Sequence, residues 1–167
     1  IILTESLLEL PSSILNVLDM SEIIKGKTNS IVNAKSALFL GRGSSFPIAM
    51  EGALKLKEIS YIHAEGYASG EMKHGPIALV DDKVPVIIIS PKDFLFEKNI
   101  SNMQEILARG GKVILITDQK GDREIENETL KTLVIKNLED FVKPIVFTLP
   151  VQLIAYFVAV QKGTDVD

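Results

Sequence analysis

Two kinds of hydrophobic pattern alternate along the 167-residue chain. Short continuous runs rich in Val, Ile and Leu are typical of strands that are buried on both faces of a parallel sheet. Longer stretches in which apolar residues recur every three or four positions are typical of amphipathic helices. The short runs predict strands over 37–40, 84–90, 113–117 and 133–135, with a weaker fifth strand over 61–64.

The helical stretches lie between and around these strands. Pro11 interrupts the first of them, 4–25, and predicts that it breaks into two helices. Further helices are predicted over 46–60, 94–109 and 143–162, with a short one near 122–128. The alternation predicts an α/β fold, a doubly wound five-stranded parallel sheet with right-handed crossovers. We expect lead-in helices over 1–30 and the sheet domain over 31–167.

Composition and charge limit the classes of function that fit this chain. The net charge is −4 and no basic patch stands out, so binding to nucleic acid or to an anionic membrane has little electrostatic support. Mean hydropathy is +0.23, yet apolar runs such as 86–89 are far shorter than the roughly 20 residues that span a bilayer. We therefore expect a soluble protein, and the absence of cysteine fits a cytoplasmic enzyme. Because the chain starts at Ile1, we expect it to be part of a longer polypeptide.

A glycine turn follows the first predicted strand. It runs Gly41-Arg42-Gly43-Ser44-Ser45 and leads through Pro47 into the next helix. A turn of this kind presents free helix N–H groups, a geometry that attracts phosphate. The third glycine of a dinucleotide motif and the lysine of a P-loop are missing, so support for a nucleotide site is weak. Helix capping by Ser44 or Ser45 explains the same residues, and both interpretations stay open.

Three charged residues share one narrow stripe of the helix over 46–60. At about 100° per residue, Lys55 and Glu58 lie within about 40° of Glu51. The apolar residues that flank the stripe are Ile48, Met50, Leu54 and Ile59, whereas Ala53, Lys57 and Ser60 gather on the opposite side. The charges are therefore predicted inside the apolar arc, in a partly dry pocket, where Lys55 can pair with both carboxylates. A structural ion network and a carboxylate base beside an ammonium group both account for this pattern.

The stripe and the glycine turn are far apart on this helix. Ser44 and Glu58 are separated by 14 positions, which is roughly 21 Å along a helix. One hexose phosphate cannot touch both. If Glu58 is catalytic, the phosphate is held by another domain or subunit.

Both histidines lie in a polar, glycine-punctuated segment, 61–76. Segments of this kind are where a rigid α/β frame usually carries function. His74, followed by Gly75 and Pro76, is the better candidate for a proton shuttle near neutral pH. His63 lies in the short fifth strand and is interpreted as a packing histidine. Two histidines 11 residues apart without a matching carboxylate pattern do not form a ligand set, so no metal site is predicted.

Three blocks of sequence resemble a known family. They are ALFLGRG at 37–43, EGALKLKEISYIHAE at 51–65 and GEMKHGP at 70–76. Together they resemble the second sugar isomerase (SIS) domain of the glutamine:fructose-6-phosphate aminotransferase family, and the likeness continues through 108–111 to 162–167. The resemblance covers nearly the whole chain, and its long middle block is specific to this family rather than to SIS domains at large.

The resemblance implies a flavodoxin-like strand order and a place in the isomerase half of a two-part enzyme. In this family the other half hydrolyses glutamine, and the ammonia is channelled to fructose 6-phosphate to make glucosamine 6-phosphate. The implied partners are the first SIS domain and the glutaminase domain of the same chain, together with a second copy in a homodimer. No cofactor is implied.

The resemblance also implies roles for individual residues. Glu58 corresponds to the base that moves a proton between C1 and C2. Lys55 and Glu51 correspond to its neighbours in the pocket, where both contact substrate and Lys55 also belongs to the catalytic set. His74 corresponds to the histidine of sugar ring opening, which reaches the site of the partner subunit. The phosphate is gripped by a Ser/Thr-rich loop of the first SIS domain, so the turn at Ser44 and Ser45 would be a vestigial phosphate loop.

Two parts of the family pattern lie outside this sequence. One is the short C-terminal tail, whose lysine forms a Schiff base with the sugar. The other is the glutaminase domain with its N-terminal cysteine. We therefore expect this chain by itself to make no glucosamine 6-phosphate.

Two other functions are consistent with a SIS domain. One is a sugar-phosphate-binding regulatory module, which needs phosphate contacts but no buried base, so Glu58 inside the apolar arc argues for the enzyme. The other is a phosphosugar isomerase or deglycase without a glutaminase half. A cysteine directly after the initiator Met of the parent protein would favour the aminotransferase.

Overall fold

A computed structural model describes residues 2–125 and 130–166. Its centre is a five-stranded parallel sheet, built from the continuous apolar runs of the sequence. The strands are β1 (Ser36–Gly41), β2 (His63–Ala68), β3 (Pro85–Ile89), β4 (Lys112–Asp118) and β5 (Lys131–Ile135).

The strand order is β2-β1-β3-β4-β5, with all neighbours parallel. This is the flavodoxin-like order of a doubly wound sheet, which confirms the predicted fold class. The order reverses at β1, because the chain moves from β1 outward to β2 and then returns to β3 on the other side. The carboxyl ends of β1 and β3 therefore flank the position where α/β folds usually bind ligands.

Helices cover both faces of the sheet. On one face, a core cluster joins alternate strand residues such as Phe39 and Ile87 to helices at both ends of the chain. On the other face, Leu38 and Ile88 pack against Met103 and Met72. The helices are α1 (Ile2–Leu18), α2 (Ser21–Lys27), α3 (Ser45–Ser60), α4 (Phe96–Ala108), α5 (Gln119–Asp122) and α6 (Lys143–Lys162).

The closing helix α6 is long and largely apolar. Among the described residues it is the one helix that could cross a membrane by length and composition alone, with a mean hydropathy of 1.7 over 18 residues. Its buried side chains, among them Phe147, Val151 and Ile154, belong to the core cluster beneath α3. The apolar character of α6 therefore reflects packing against the sheet and its neighbouring helices.

Three predicted elements differ from the structure. Helix α1 continues through Pro11, and the break comes at 19–20; Pro11 is exposed, so the carbonyl that loses its partner faces water. The weak strand predicted over 61–64 is β2, which begins later and extends to Ala68. The short helix predicted near 122–128 is α5, which ends at Asp122, and positions 126–128 lie outside the described residues.

Candidate functional site

The charged stripe occupies the outer side of α3, next to α6. Lys55 Nζ donates a hydrogen bond to Glu58 Oε2 at 2.7 Å. Gln152 Nε2 of α6 donates to Glu51 Oε1 at 2.9 Å. The bond to Glu58, then the charge of Glu58 and the weaker effect of Glu51 raise the pKa of Lys55 above its ordinary value of 10.5. Lys55 is therefore an ammonium group throughout the neutral range.

The expectation that these charges lie inside a buried apolar arc was wrong. The side chains of Lys55 and Glu58 are 38% and 46% exposed, and the flanking Met50 and Leu54 are 51% and 44% exposed. The expected bond between Glu51 and Lys55 is also missing: within the described residues no ion pair joins them. The buried side of α3 is instead formed by Ile48, Ala49, Gly52, Ala53, Leu56 and Ser60.

Small residues explain why α3 buries this side. A Cβ atom on Gly52 would lie 2.7 Å from the ring of Phe39 and 2.9 Å from Cβ of Val151. The absence of a side chain at this position lets α3 approach both the sheet and α6. Glycine and alanine contribute little to a hydrophobic pattern that is read from large side chains. The positions of Met50, Leu54 and Ile59 around the helix therefore indicated the wrong buried side.

The C-terminal end of α3, which carries Glu58, is fixed by three hydrogen bonds. Ser60 Oγ donates to the carbonyl of Leu56 at 2.6 Å, and Tyr61 N donates to the carbonyl of Lys57. Tyr61 ends the helix in the left-handed region, with φ 58°. From the turn after α6, Thr164 Oγ1 donates to the carbonyl of Ile59 at 2.6 Å. The end of the described chain therefore lies beside the residue that follows Glu58.

His74 lies at the opposite edge of the sheet from Glu58. The contacts of Gly41 with Ser45 and of Gly66 with Met50 show that α3 runs antiparallel to the strands, so Glu58 is at the amino edge. His74 follows β2 in a 3-10 helix beyond the carboxyl edge, and six strand residues separate the two edges by about 20 Å. The His74 side chain is 72% exposed, with Nδ1 2.8 Å from Glu71 Oε2. One chain does not bring His74 to Glu58.

The structure corrects the interpretation of His63. Its side chain is exposed, and Nε2 lies 3.4 Å from Glu65 Oε1. The expectation of a packing histidine was wrong because β2 is the edge strand of the sheet and His63, at its start, points outward.

The glycine turn lies at the carboxyl edge, at the beginning of α3. Ser44 is exposed and makes no side-chain capping bond, so capping by Ser44 is wrong, and Ser45 is buried. The amides of Ser45 and Phe46 donate to the carbonyls of Arg42 and Gly43, both at 3.1 Å. Because α3 is unbroken between Ser45 and Glu58, the separation of roughly 20 Å along the helix holds.

A cavity of about 610 Å³ opens between α3 and β2, next to the stripe. Glu51 lies on its wall, opposite Glu65 and Tyr67 of β2. The Tyr67 hydroxyl donates to the Glu65 carboxylate, and this bond raises the pKa of Tyr67 above its ordinary value of 10.0. Lys55 and Glu58 do not line the cavity, so it adjoins the ion pair without containing it. The rest of the wall is formed by Pro47, Met50, Ala53, Leu54, Lys57 and Gly66.

Sequence reasoning missed Gln152. It is a neutral polar residue between apolar neighbours in α6, and its partner Glu51 is 101 positions away. A single polar side chain among apolar neighbours on α6 is the one signal that could have drawn attention to it. Among residues 2–125 and 130–166, no group of three or more metal-binding side chains is placed to hold an ion.

Comparison with known proteins identifies close relatives. A family model described as the SIS domain matches residues 30–162. The glutamine–fructose-6-phosphate aminotransferase (isomerizing) of Bartonella henselae is 55% identical over 163 residues, and that of Zymomonas mobilis is 57% identical over 161 residues. These matches cover 98% and 96% of this chain but 27% and 26% of the relatives. The chain therefore spans about a quarter of the length of the curated relatives it matches.

Solved structures show the same relationship as the sequence matches. The C-terminal domain of glucosamine-fructose-6-phosphate aminotransferase from Francisella tularensis superposes with a TM-score of 0.94 at 46% identity, covering 98% of this chain and 46% of that one. The sugar isomerase domain of an RpiR transcription factor from Sphaerobacter thermophilus superposes with a TM-score of 0.69 at 18% identity, covering 97% of this chain and 89% of that one. The second likeness shows a shared fold alone.

Proposed function

The chain belongs to the SIS domain family, and we propose that it is the second SIS domain of a longer glutamine–fructose-6-phosphate aminotransferase. In this role Glu58 accepts the proton from C1 of the open-chain sugar and returns it to C2, so the carboxylate ends the reaction ionised as it began. Lys55 and Glu51 contact the sugar beside it. The substrate is fructose 6-phosphate, and the product of the whole enzyme is glucosamine 6-phosphate.

The observation that carries the proposal is the ion pair on an open surface. Lys55 Nζ holds Glu58 Oε2 at 2.7 Å, which gives the carboxylate a fixed direction. Exposed apolar side chains are also present on α3 and α6, such as Leu54 and Tyr156. A general base works best when water is excluded, so this surface needs a cover. The first SIS domain, which would also hold the phosphate, is the cover we propose.

A second copy of the enzyme would supply His74. Within one chain, His74 and Glu58 are at opposite edges of the sheet, about 20 Å apart. His74 is exposed and held by Glu71, so it is available to a neighbouring subunit. We therefore propose a homodimer in the cytoplasm, in which His74 of one subunit opens the sugar ring in the site of the other.

The end of the chain supports a further part of the proposal. Thr164 bonds to the carbonyl of Ile59, so residues 164–166 lie at the Glu58 end of α3. A C-terminal tail with the Schiff-base lysine would start from this position. Without that tail, the first SIS domain and the glutaminase domain, we expect no synthesis of glucosamine 6-phosphate from fructose 6-phosphate and ammonia. Detectable synthesis by the isolated chain would contradict this.

The test is Glu58→Gln in the full-length protein. The substitution keeps the shape of the side chain and removes the base, so isomerisation of fructose 6-phosphate to glucose 6-phosphate should fall by about 10² to 10⁴. Binding of the sugar phosphate, measured separately, should persist. Glu97→Gln is the matched control, because Glu97 is an exposed carboxylate on α4, across the sheet. If isomerisation and binding both survive Glu58→Gln, the stripe is structural and the protein is a sugar-phosphate-binding module.

A further inference from the structure

Gln152 is the one polar side chain of α6 that bonds to the charged stripe, within the described residues. We propose that Gln152 is a positioning residue for the reaction: it restrains the Glu51 carboxylate and so leaves Lys55 bonded to Glu58. The inference rests on the proposed function, since it concerns the same base. Gln152 acts through Glu51 and Lys55 and is not itself assigned a contact with substrate.

The stripe contains a competition that Gln152 resolves. Lys55 has a carboxylate four positions before it, Glu51, and another three positions after it, Glu58, and both spacings allow an ion pair on a helix. The structure pairs Lys55 with Glu58 at 2.7 Å and Glu51 with Gln152 at 2.9 Å. Glu51 is still close enough for its charge to raise the pKa of Lys55. Without the amide, Glu51 is free to draw Lys55 away from the base.

The packing of α6 against α3 puts the amide within reach. Val151, the residue before Gln152, is fully buried, and its Cβ lies only 2.9 Å from where a Cβ of Gly52 would be. Glu51 precedes Gly52, and Gln152 follows Val151. The close approach of Gly52 to Val151 therefore brings the side chains of Glu51 and Gln152 together. An amide suits this place because it donates a hydrogen bond to Glu51 without adding a charge. A lysine at 152 would compete with Lys55 for the carboxylates. A carboxylate at 152 would repel Glu51 and push it toward Lys55.

The experiment measures isomerisation kinetics in the full-length protein. Gln152→Met keeps the volume of the side chain and removes the donor, so kcat should fall roughly tenfold, by more than KM changes. Gln152→Glu should lower kcat further, because repulsion drives Glu51 onto Lys55. The control is Gln161→Met on the same helix, where Gln161 bonds to Thr28 and to the carbonyl of Lys25 rather than to the stripe; we expect wild-type kcat.

A double-mutant cycle separates positioning from general loss of structure. In a Glu51→Gln background the competing carboxylate is absent, so adding Gln152→Met should cause no further fall in kcat. A crystal structure of the Gln152→Met variant should show Lys55 Nζ bonded to Glu51. The proposal is overturned if Gln152→Met keeps wild-type kcat, or if it lowers kcat equally with and without the Glu51 carboxylate. If Glu58→Gln keeps its activity, the proposed function fails instead, whatever Gln152 does.

Discussion

The two ends of helix α3 are built for different purposes. Its N-terminal end, at Ser45, lies at the carboxyl edge of the sheet, where doubly wound folds usually bind ligands. There the backbone is tightly packed: a Cβ on Gly41 would lie 2.1 Å from the carbonyl of Ser45, and one on Gly43 would lie 2.8 Å from Leu95. The C-terminal end carries the exposed pair of Lys55 and Glu58.

The contrast shows that fold and site are separable in this protein. The tightly packed glycine turn lies at the usual ligand position of the fold, and the pair of Lys55 and Glu58 lies toward the other end of α3. Under the proposed function, Glu58 is a base on an exposed surface, so we expect another domain or subunit to cover it. On that proposal α3 places the charged residues, and the whole enzyme supplies their surroundings.

The packed end should be the less tolerant of added atoms. Gly41→Ala pushes a Cβ into the backbone of Ser45, which cannot move without shifting the start of α3, so we expect a loss of stability of about 1–3 kcal/mol or more. Gly26→Ala is the control, for which we expect stability to rise rather than fall. Gly26 lies inside α2, and no atom lies within 4 Å of the added Cβ. The expected gain in stability is about 0.4–1 kcal/mol. Thermal unfolding measures both, and equal midpoints for the two variants would contradict the contrast.

The charged end depends on a tether from the other end of the chain. Thr164→Val removes the hydroxyl that donates to the carbonyl of Ile59, and we expect a loss of about 1 kcal/mol together with a lower isomerisation rate in the full-length protein. Thr148→Val removes a bond within α6, to Pro144, and is the control for the substitution itself. Activity at the wild-type level in Thr164→Val would show that the tether does not position Glu58.

The ion pair itself should contribute a smaller, pH-dependent effect. The folded-state pKa of Lys55 lies above its ordinary value of 10.5, so the contribution of the pair is fully present below about pH 10.5 and is lost as the pH rises through the folded-state pKa. We expect the melting temperature of the wild type to exceed that of Lys55→Met by a constant amount between about pH 7 and 9. The difference should shrink above pH 10.5, and a difference that instead disappears near pH 8 would refute the assignment.

The smallest effect is expected at Ser44. Because its side chain makes no capping bond, Ser44→Ala should change stability by only a few tenths of a kcal/mol, whereas loss of a true N-cap costs about 1 kcal/mol. Isomerisation should also stay at the wild-type level, since Glu58 lies at the other end of α3. A tenfold fall in sugar-phosphate affinity would show that the turn is a working phosphate loop.

The fold was largely predictable because its strands are continuous apolar runs. Continuous apolar runs such as those that contain Ile87 and Ile116 are typical of a sheet covered on both faces. Helix α6 was predicted with its observed bounds, Lys143–Lys162. The edge strand β2 was underestimated because one side of it faces solvent and carries His63 and Glu65. Pro11 misled because an exposed helix tolerates a missing hydrogen bond.

The sequence predicted which charged residues of α3 lie together, but it did not predict their exposure or their hydrogen-bond partners. Spacing alone placed Glu51, Lys55 and Glu58 on one stripe, and the catalytic roles drawn from the resemblance stay predictions. The direction of that stripe was missed, because α3 is buried through Ala49, Gly52 and Ala53 rather than through its larger apolar residues. Gln152 could not be found from its neighbours in sequence, since its contact with Glu51 exists only in the folded chain.

The contact between Glu51 and Gln152 also sets a time for the site to form during synthesis. Its two residues are 101 positions apart, and at about 5 to 20 residues per second a ribosome needs on the order of 5 to 20 s to make the second after the first. During that interval the rest of α3 and strands β2 to β5 are made while α6 is still incomplete. The arrangement around Glu58 is therefore one of the last features of this domain to be completed, and nascent chains pass most of their synthesis without it.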